Sequence, residues 1–233
     1  MKTEQEKRPL SAVIFDMDGL MFDTERIVRR AWDLTGPALG YEPLGYNILN
    51  TLGMNLKRRR SYFTEKYGES FPFETFTEAY RKISRGILEK EGIPLKPGLM
   101  ELLEFLKGQG CRMAVATSSS AEHAAENLEK TGVAGYFQGV INGSQVQFSK
   151  PHPQIYQLAC ELLQADPTRT IALEDSPHGL CAAAAAGLMP VMVPDLVTEL
   201  PKPAPRLEAK LASLYEVKAY IEKHFYFCEQ RAR

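Results

Sequence analysis

The sequence predicts an α/β protein in which a parallel sheet carries helices on both faces and a helical insertion interrupts it early. Three observations predict this class. Short apolar runs recur, each ending in polar residues that open a loop: Val13–Phe15 before Asp16, Met113–Ala116 before Thr117, and Thr170–Leu173 before Glu174 and Asp175. Beyond Thr117 such runs alternate with helical patterns, as βαβ units do. The stretch between the first two runs far exceeds the dozen or so residues a crossover needs, and its character is helical.

Each element follows in chain order. The first run is too short for a helix and apolar throughout, so it reads as a strand buried on both faces. Gly19 permits the sharp turn after it. The runs Glu25–Thr35, Leu56–Tyr67 and Thr75–Glu91 predict the helices of the insertion, with Trp32 in its core. Residues 24–95 are assigned to this inserted domain, and 1–23 with 96–233 to the sheet domain. Lys96-Pro97-Gly98 marks the return, before an amphipathic helix over Leu99–Gln109 that turns Leu102, Leu103 and Leu106 inward. A helix over Ala121–Lys130, a strand over Gly139–Ile141 and a helix over Gln154–Leu163 come next. After the strand Thr170–Leu173, Gly179–Ala186 is nearly all alanine. It can approach a sheet closely, and Gly187 stops it. A strand over Pro190–Val193, a Pro-rich loop at Pro201–Pro205 and a last helix over Leu211–His224 complete the chain, with a frayed tail at Gln230–Arg233.

Composition excludes several function classes. The chain has 233 residues, enough for one large domain or one with a smaller insertion. Its 28 basic and 29 acidic residues leave a formal charge of −1, so nothing draws it to nucleic acid or an anionic membrane. No apolar run is long enough to span a bilayer, and Met1–Pro9 lacks the apolar centre of a signal peptide. Cys111, Cys160, Cys181 and Cys228 are scattered without metal-ligand spacing. A reduced, cytoplasmic compartment is expected, and a monomer.

In a right-handed parallel fold the strand ends converge on one sheet edge, where such folds bind ligands. Asp16 and Asp18 leave the first strand there. Two carboxylates can hold a hard cation, and one can attack an electrophile, although aspartate and glycine also crowd ordinary turns. Lys150 precedes Pro151 and, after His152, Pro153, which keep its backbone out of helix. Carboxylates, a hydroxyl at Thr117, a lysine and the pair Glu174-Asp175 suit phosphoryl transfer, where charge on the moving group must be balanced.

These residues also carry a resemblance. Phe15-Asp16-Met17-Asp18-Gly19-Leu20-Met21-Phe22-Asp23-Thr24-Glu25, Thr117, Ser149-Lys150-Pro151 and Glu174-Asp175-Ser176 occur in order. From about Ala12 to Asp195 the chain resembles phosphatases of the haloacid dehalogenase superfamily. The likeness is to the helical-cap branch, with its β-phosphoglucomutase-like and pseudouridine-5′-phosphatase-like proteins. The resemblance implies a Rossmann-like core with the insertion as a lid. It implies Asp16 as the nucleophile that forms an aspartyl phosphate, and Asp18 as proton donor and then base. Mg²⁺ would be held by Asp16, the carbonyl of Asp18 and Asp175. Glu174 would ligate directly or through water, or serve as an outer or helix-capping acid. Thr117, Ser118 and the amides after Thr117, with Lys150, would hold the phosphoryl group.

Other features weigh less. Lys57-Arg58-Arg59-Arg60 is expected to be a solvated helix face rather than an anion grip. His152 and His178 are expected to be loop or helix-start residues. Val28 and Leu56 stand where a mutase of this branch has its proton-handling histidine and its phosphate-binding arginine, which favours hydrolysis. The expected activity is Mg²⁺-dependent hydrolysis of a small phosphorylated metabolite, a sugar phosphate or a nucleoside-type monophosphate. A phosphosugar mutase is the alternative, and a phosphate-binding regulator without turnover the rival of another class.

Overall fold

The computed structural model describes residues 6–200 and 202–227. In chain order its elements are β1 (Arg8–Leu10), β2 (Ala12–Phe15), α1 (Glu25–Ala38), α2 (Ile48–Thr51), α3 (Leu56–Tyr67), α4 (Phe73–Glu91), α5 (Leu99–Gly108), β3 (Arg112–Ala116), α6 (Ala121–Lys130) and β4 (Gly139–Ile141). There follow α7 (Gln154–Leu163), β5 (Thr170–Glu174), α8 (Pro177–Ala185), β6 (Met189–Met192), β7 (Ala209–Lys210), α9 (Leu214–His224) and β8 (Phe225–Phe227). The fold is the α/β class expected, a parallel sheet with helices.

The main sheet has the order β4-β3-β2-β5-β6-β7 and is parallel throughout. The chain builds one half outward from β2 to β4, then returns to β5 beside β2 and builds the other half. This reversal creates a crevice at the strand ends. Every residue of β2 is buried, as its unbroken apolar run required. Alternation along β2 sends Val13 and Phe15 to a cluster with Leu102, Leu103 and Leu106 of α5 and Val217 of α9. Ala12 and Ile14 face the other side, against Tyr156 of α7 and Ala182 and Ala183 of α8.

Helices α1 to α4 bury a separate aromatic cluster. Trp32 meets Phe63 edge-on at 5.3 Å, with Phe76 at 5.5 Å and Tyr80 at 5.7 Å. Each such fully buried ring removes enough apolar surface to contribute about 1.5–3 kcal/mol. Among the described residues no helix is long and apolar enough to cross a membrane. Cys111 and Cys160 are buried and unpaired, and Cys181 is half-buried and unpaired. Cys228 and the tail expected to fray lie outside the described residues.

Helix starts shift where capping decides. The helix α8 begins at Pro177, not Gly179, because Ser176 Oγ accepts the Gly179 N–H at 3.1 Å and proline suits the first helical position. The last helix begins at Leu214, not Leu211, because Ser213 caps it. Three strands were not anticipated. The ends of the chain pair in parallel as β1 and β8, and β7 adds two residues to the sheet edge. Short pairings between distant segments leave no local pattern.

Candidate active site

Asp16 sits at the end of β2, its N–H bound to the carbonyl of Leu173 at 3.0 Å. The chain then turns at Gly19, whose φ is +89°. A Cβ there would lie 2.3 Å from Asp175 Oδ2, so the turn and the close approach of Asp175 both require glycine. The loop before α7 brings in Lys150, which is fully buried. Its ammonium donates to Asp16 Oδ1 at 2.5 Å, Glu174 Oε1 at 2.5 Å and the carbonyl of Ala116 at 3.0 Å. All three of its protons are therefore used. Glu174 Oε1 also accepts from the Tyr156 hydroxyl at 2.5 Å, and Oε2 from Ser176 Oγ at 3.0 Å.

One oxygen each of Asp16, Glu174 and Asp175 lie within 4.8 Å of one another. Asp175 Oδ1 is buried and has no hydrogen-bond partner. Three carboxylates face one ammonium, an excess of two negative charges in a dry place. Burial, then Glu174, pushes the proton affinity of Asp16 well above the usual carboxylate range, against the pull of Lys150. Burial, then Asp16, does the same to Asp175. Burial works against the charge on Lys150, but Asp16 and Glu174 outweigh it and raise its pKa. An all-oxygen donor set with two uncompensated charges and one unpartnered oxygen fits a hard divalent cation.

Asp18 faces the cavity from the other side of the turn. Thr24 Oγ1 donates to its Oδ1 and Ser119 Oγ to its Oδ2, each at 2.7 Å. His123 Nε2 stands 3.7 Å from Oδ1, an ion-pair separation rather than a hydrogen bond. Burial disfavours the charge on Asp18, but His123, Ser119 and Thr24 outweigh it and bring its pKa to about 2. Thr24 is the residue before α1 yet makes no side-chain cap, since its hydroxyl is spent on Asp18. Thr117 follows the last residue of β3, and its buried hydroxyl accepts from the Ser119 N–H at 3.1 Å. The hydroxyl of Ser118 donates to the carbonyl of Gly53 at 2.9 Å, which leaves its backbone N–H as the donor for a ligand.

A cavity of 560 Å³ lies between these strand ends and helices α1, α3 and α4. Asp16, Asp18, Thr117 and Ser118 line its floor; Glu25, Val28, Leu56, Arg59 and Ser84 line its opposite wall. Glu25 is buried there, and burial raises its pKa to about 7 despite the nearby charge of Arg59. The expectation of a solvated basic run is corrected for two of its four residues. Arg58 reaches back to the carbonyl of Lys150, and Arg59 stacks over Trp32 at 5.2 Å. The run covers a full helical turn, so its members cannot all face solvent. Sequence reasoning assigned no role to Thr24, Ser119, His123 or Tyr156. The hydroxyl-rich run after Thr117 signalled Ser119, whereas the others meet the site only through tertiary packing.

A model of the haloacid dehalogenase-like hydrolases matches residues 10–187. Hexitol phosphatase B of Escherichia coli K12 is 31% identical over 214 residues, which cover 91% of this chain and 96% of that protein. The phosphorylated carbohydrates phosphatase of Thermotoga maritima is 31% identical over 180 residues, covering 77% and 82%. Among solved structures, CbbY from Rhodobacter sphaeroides in complex with phosphate superposes with a TM-score of 0.74. It is 30% identical and covers 89% of this chain and 96% of its own. The matched span runs from before Asp16 to beyond Asp175 and takes in every strand end that floors the cavity, and on that ground the chain belongs to the haloacid dehalogenase-like hydrolase family.

Proposed function

We propose that the chain is a Mg²⁺-dependent phosphatase that hydrolyses a small phosphorylated metabolite, a sugar phosphate or nucleoside-type monophosphate, through an aspartyl phosphate on Asp16. The observation that carries this reading is the buried Lys150 ammonium between Asp16 and Glu174, with the unpartnered oxygen of Asp175 close by. Asp16 is held at the cavity floor with one oxygen on Lys150, and among the described residues no side chain donates to the other, as an attacking carboxylate requires. Asp16, the Asp18 carbonyl and Asp175 would hold Mg²⁺. When bound, it supplies positive charge against the phosphoryl oxygens. Glu174 has both oxygens engaged, so we assign it to holding Lys150 before any direct ligation.

Asp18 gives a proton to the leaving alcohol and later takes one from the attacking water. At rest it is ionised, ready for the second task; a phosphate dianion beside it raises its proton affinity for the first. Lys150, its protons held by Asp16, Glu174 and the Ala116 carbonyl, supplies positive charge near the phosphoryl group, and Thr117 with the amides after it holds the phosphoryl oxygens. Residues 24–95 act as a cap that excludes bulk water. Val28 and Leu56 place no proton carrier or phosphate-binding cation at their positions, which supports water over a second sugar as acceptor. The substrate is a small ester rather than nucleic acid or lipid, and a monomeric, cytoplasmic enzyme is proposed. Phosphate release from phosphorylated carbohydrates and nucleoside monophosphates, with Mg²⁺ and with a chelator, tests the reading. Release from at least one class, lost on chelation, is expected. Isomerisation of a sugar phosphate without phosphate release would place the chain among the mutases instead.

A further inference from the structure

The junction between the helical segment and the sheet domain is polar. Among the described residues, the buried apolar residues of α1 to α4 form a cluster separate from both sheet clusters; across the junction the half-buried Leu196 and Val197 lie against it and Ile93 lies against the sheet cluster. Beside the Thr24–Asp18 hydrogen bond and the Arg26–Asp195 ion pair near the chain crossing, residues 52–58 touch three catalytic loops. Gly53 accepts from Ser118 Oγ at 2.9 Å, in the loop after β3. Arg58 donates from one guanidinium nitrogen to the carbonyl of Lys150. Its other terminal nitrogen lies 3.3 Å from His178 Nε2, at the start of α8. His178 Nδ1 lies 3.1 Å from the carbonyl of Leu52. A carbonyl only accepts, so Nδ1 carries the proton, and Nε2 is left to accept from Arg58. Both nitrogens of a neutral imidazole are thus satisfied by the helical segment, and burial and Arg58 both favour that neutral form.

Gly53 fits this contact and no larger residue would. Its φ is +70°, and a Cβ would meet Ser176 Oγ at 2.6 Å. A few hydrogen bonds without a shared apolar core make a junction that opens at low cost, because water replaces each partner on opening. The helical wall lines the cavity opposite its floor, so opening this junction widens the way to the reacting groups.

We propose that Arg58 and His178 form a latch that holds residues 52–58 closed over the phosphate pocket, and that both are positioning residues for turnover. The proposal rests on the phosphatase reading above. The latch touches the backbone of Lys150 and not the reacting atoms. Its loss lowers the closed fraction, and apparent affinity falls in proportion to that fraction.

The test is steady-state hydrolysis of p-nitrophenyl phosphate with Mg²⁺ by wild type, Arg58→Ala, His178→Ala and the double variant, with inorganic phosphate as competitor. Each single variant should raise KM and the phosphate inhibition constant together, by about tenfold, with kcat within about threefold of wild type. The double variant should be no worse than the poorer single one, because one broken contact opens the latch. An unchanged KM in Arg58→Ala, single effects that multiply in the double variant, or a fall in kcat at constant KM would each overturn the latch. Thermal melts show that the variants fold, and Arg58→Gln, expected to match Arg58→Ala, reports in place of one that does not. Asp16→Asn is measured alongside: activity there overturns the phosphatase reading, whereas an inactive Asp16→Asn with a wild-type KM in Arg58→Ala overturns the latch alone.

Discussion

The two walls of the cavity are built differently. On the sheet wall the charged side chains answer one another: Lys150 spends all three protons, Glu174 has both oxygens bonded, and Asp18 accepts from two hydroxyls. On the helical wall they do not. Ser84 Oγ and Arg59 Nε are buried without partners, and Glu25 is buried with no hydrogen bond among the described residues. A satisfied buried network is rigid, and unpaired buried groups cost stability until a ligand pairs them. On the proposed reading, the contrast teaches that the sheet wall would hold the reacting group in fixed geometry, while the helical wall would be left open for whatever the phosphate is attached to. The exception on the sheet wall is Asp175 Oδ1, the atom the proposed Mg²⁺ would satisfy.

The comparison breaks most visibly at Lys150. Lys150→Met strands Asp16 and Glu174 as unpaired buried carboxylates and removes positive charge from the phosphoryl group. Losing one partner of a buried ion pair costs about 3–5 kcal/mol. Denaturant unfolding should show that loss, and phosphate release should fall by several orders of magnitude. A stable, active variant would mean that the sheet wall is not a network. Asp18→Asn comes next. General acid–base catalysis contributes roughly 10²–10⁴-fold, and the loss should be smallest for a nitrophenyl leaving group, which departs without a proton. Equal losses for nitrophenyl and alkyl phosphates would contradict the role of Asp18.

On the helical wall the expected effects are smaller and opposite in sign. Glu25 titrates near 7 in the fold against an ordinary 4.5, so the folded state binds its proton more tightly. Below about 4.5 both states are protonated and nothing is lost; the penalty grows as pH rises to 7 and is complete above it. Glu25→Gln should therefore be more stable than wild type at pH 8.5, on the order of 3 kcal/mol, with the advantage shrinking toward pH 5. Thermal melts across that range read it, and a constant difference would refute the cause. The least effect is expected for Ser84→Ala, which removes an unpartnered hydroxyl and should leave the melting temperature of the free enzyme unchanged or slightly raised. A fall of several degrees would show that the hydroxyl is already satisfied.

What the sequence made legible follows the same division. The run Val13–Phe15, Asp16, Asp18 and Gly19 specify a buried strand, a turn and a pair of carboxylates through neighbours in the chain, and the fold has them in that arrangement. Lys150 was legible because two prolines restrict its backbone. The helices of the other wall were legible too, but the side chains that reach across space to the site were not. Arg58 and Arg59 are adjacent in a basic run, and only the rotation of α3 sends one to Lys150 and the other over Trp32. Tyr156 looks like a core residue of α7 until Glu174 arrives from β5, a separate strand. His123 meets Asp18 across a gap in sequence that no local period spans. β1 and β8 were missed for the same reason, since each pairs only with the far end of the chain.

The central claim is that Asp16 is the residue that carries the phosphoryl group. Acid quenching during turnover of a phosphorylated substrate with Mg²⁺, followed by peptide mapping, tests it most directly. The account predicts a hydroxylamine-labile phosphoryl label on the peptide containing Asp16, absent from Asp16→Asn. A label on any other residue, or the same label in Asp16→Asn, would contradict it.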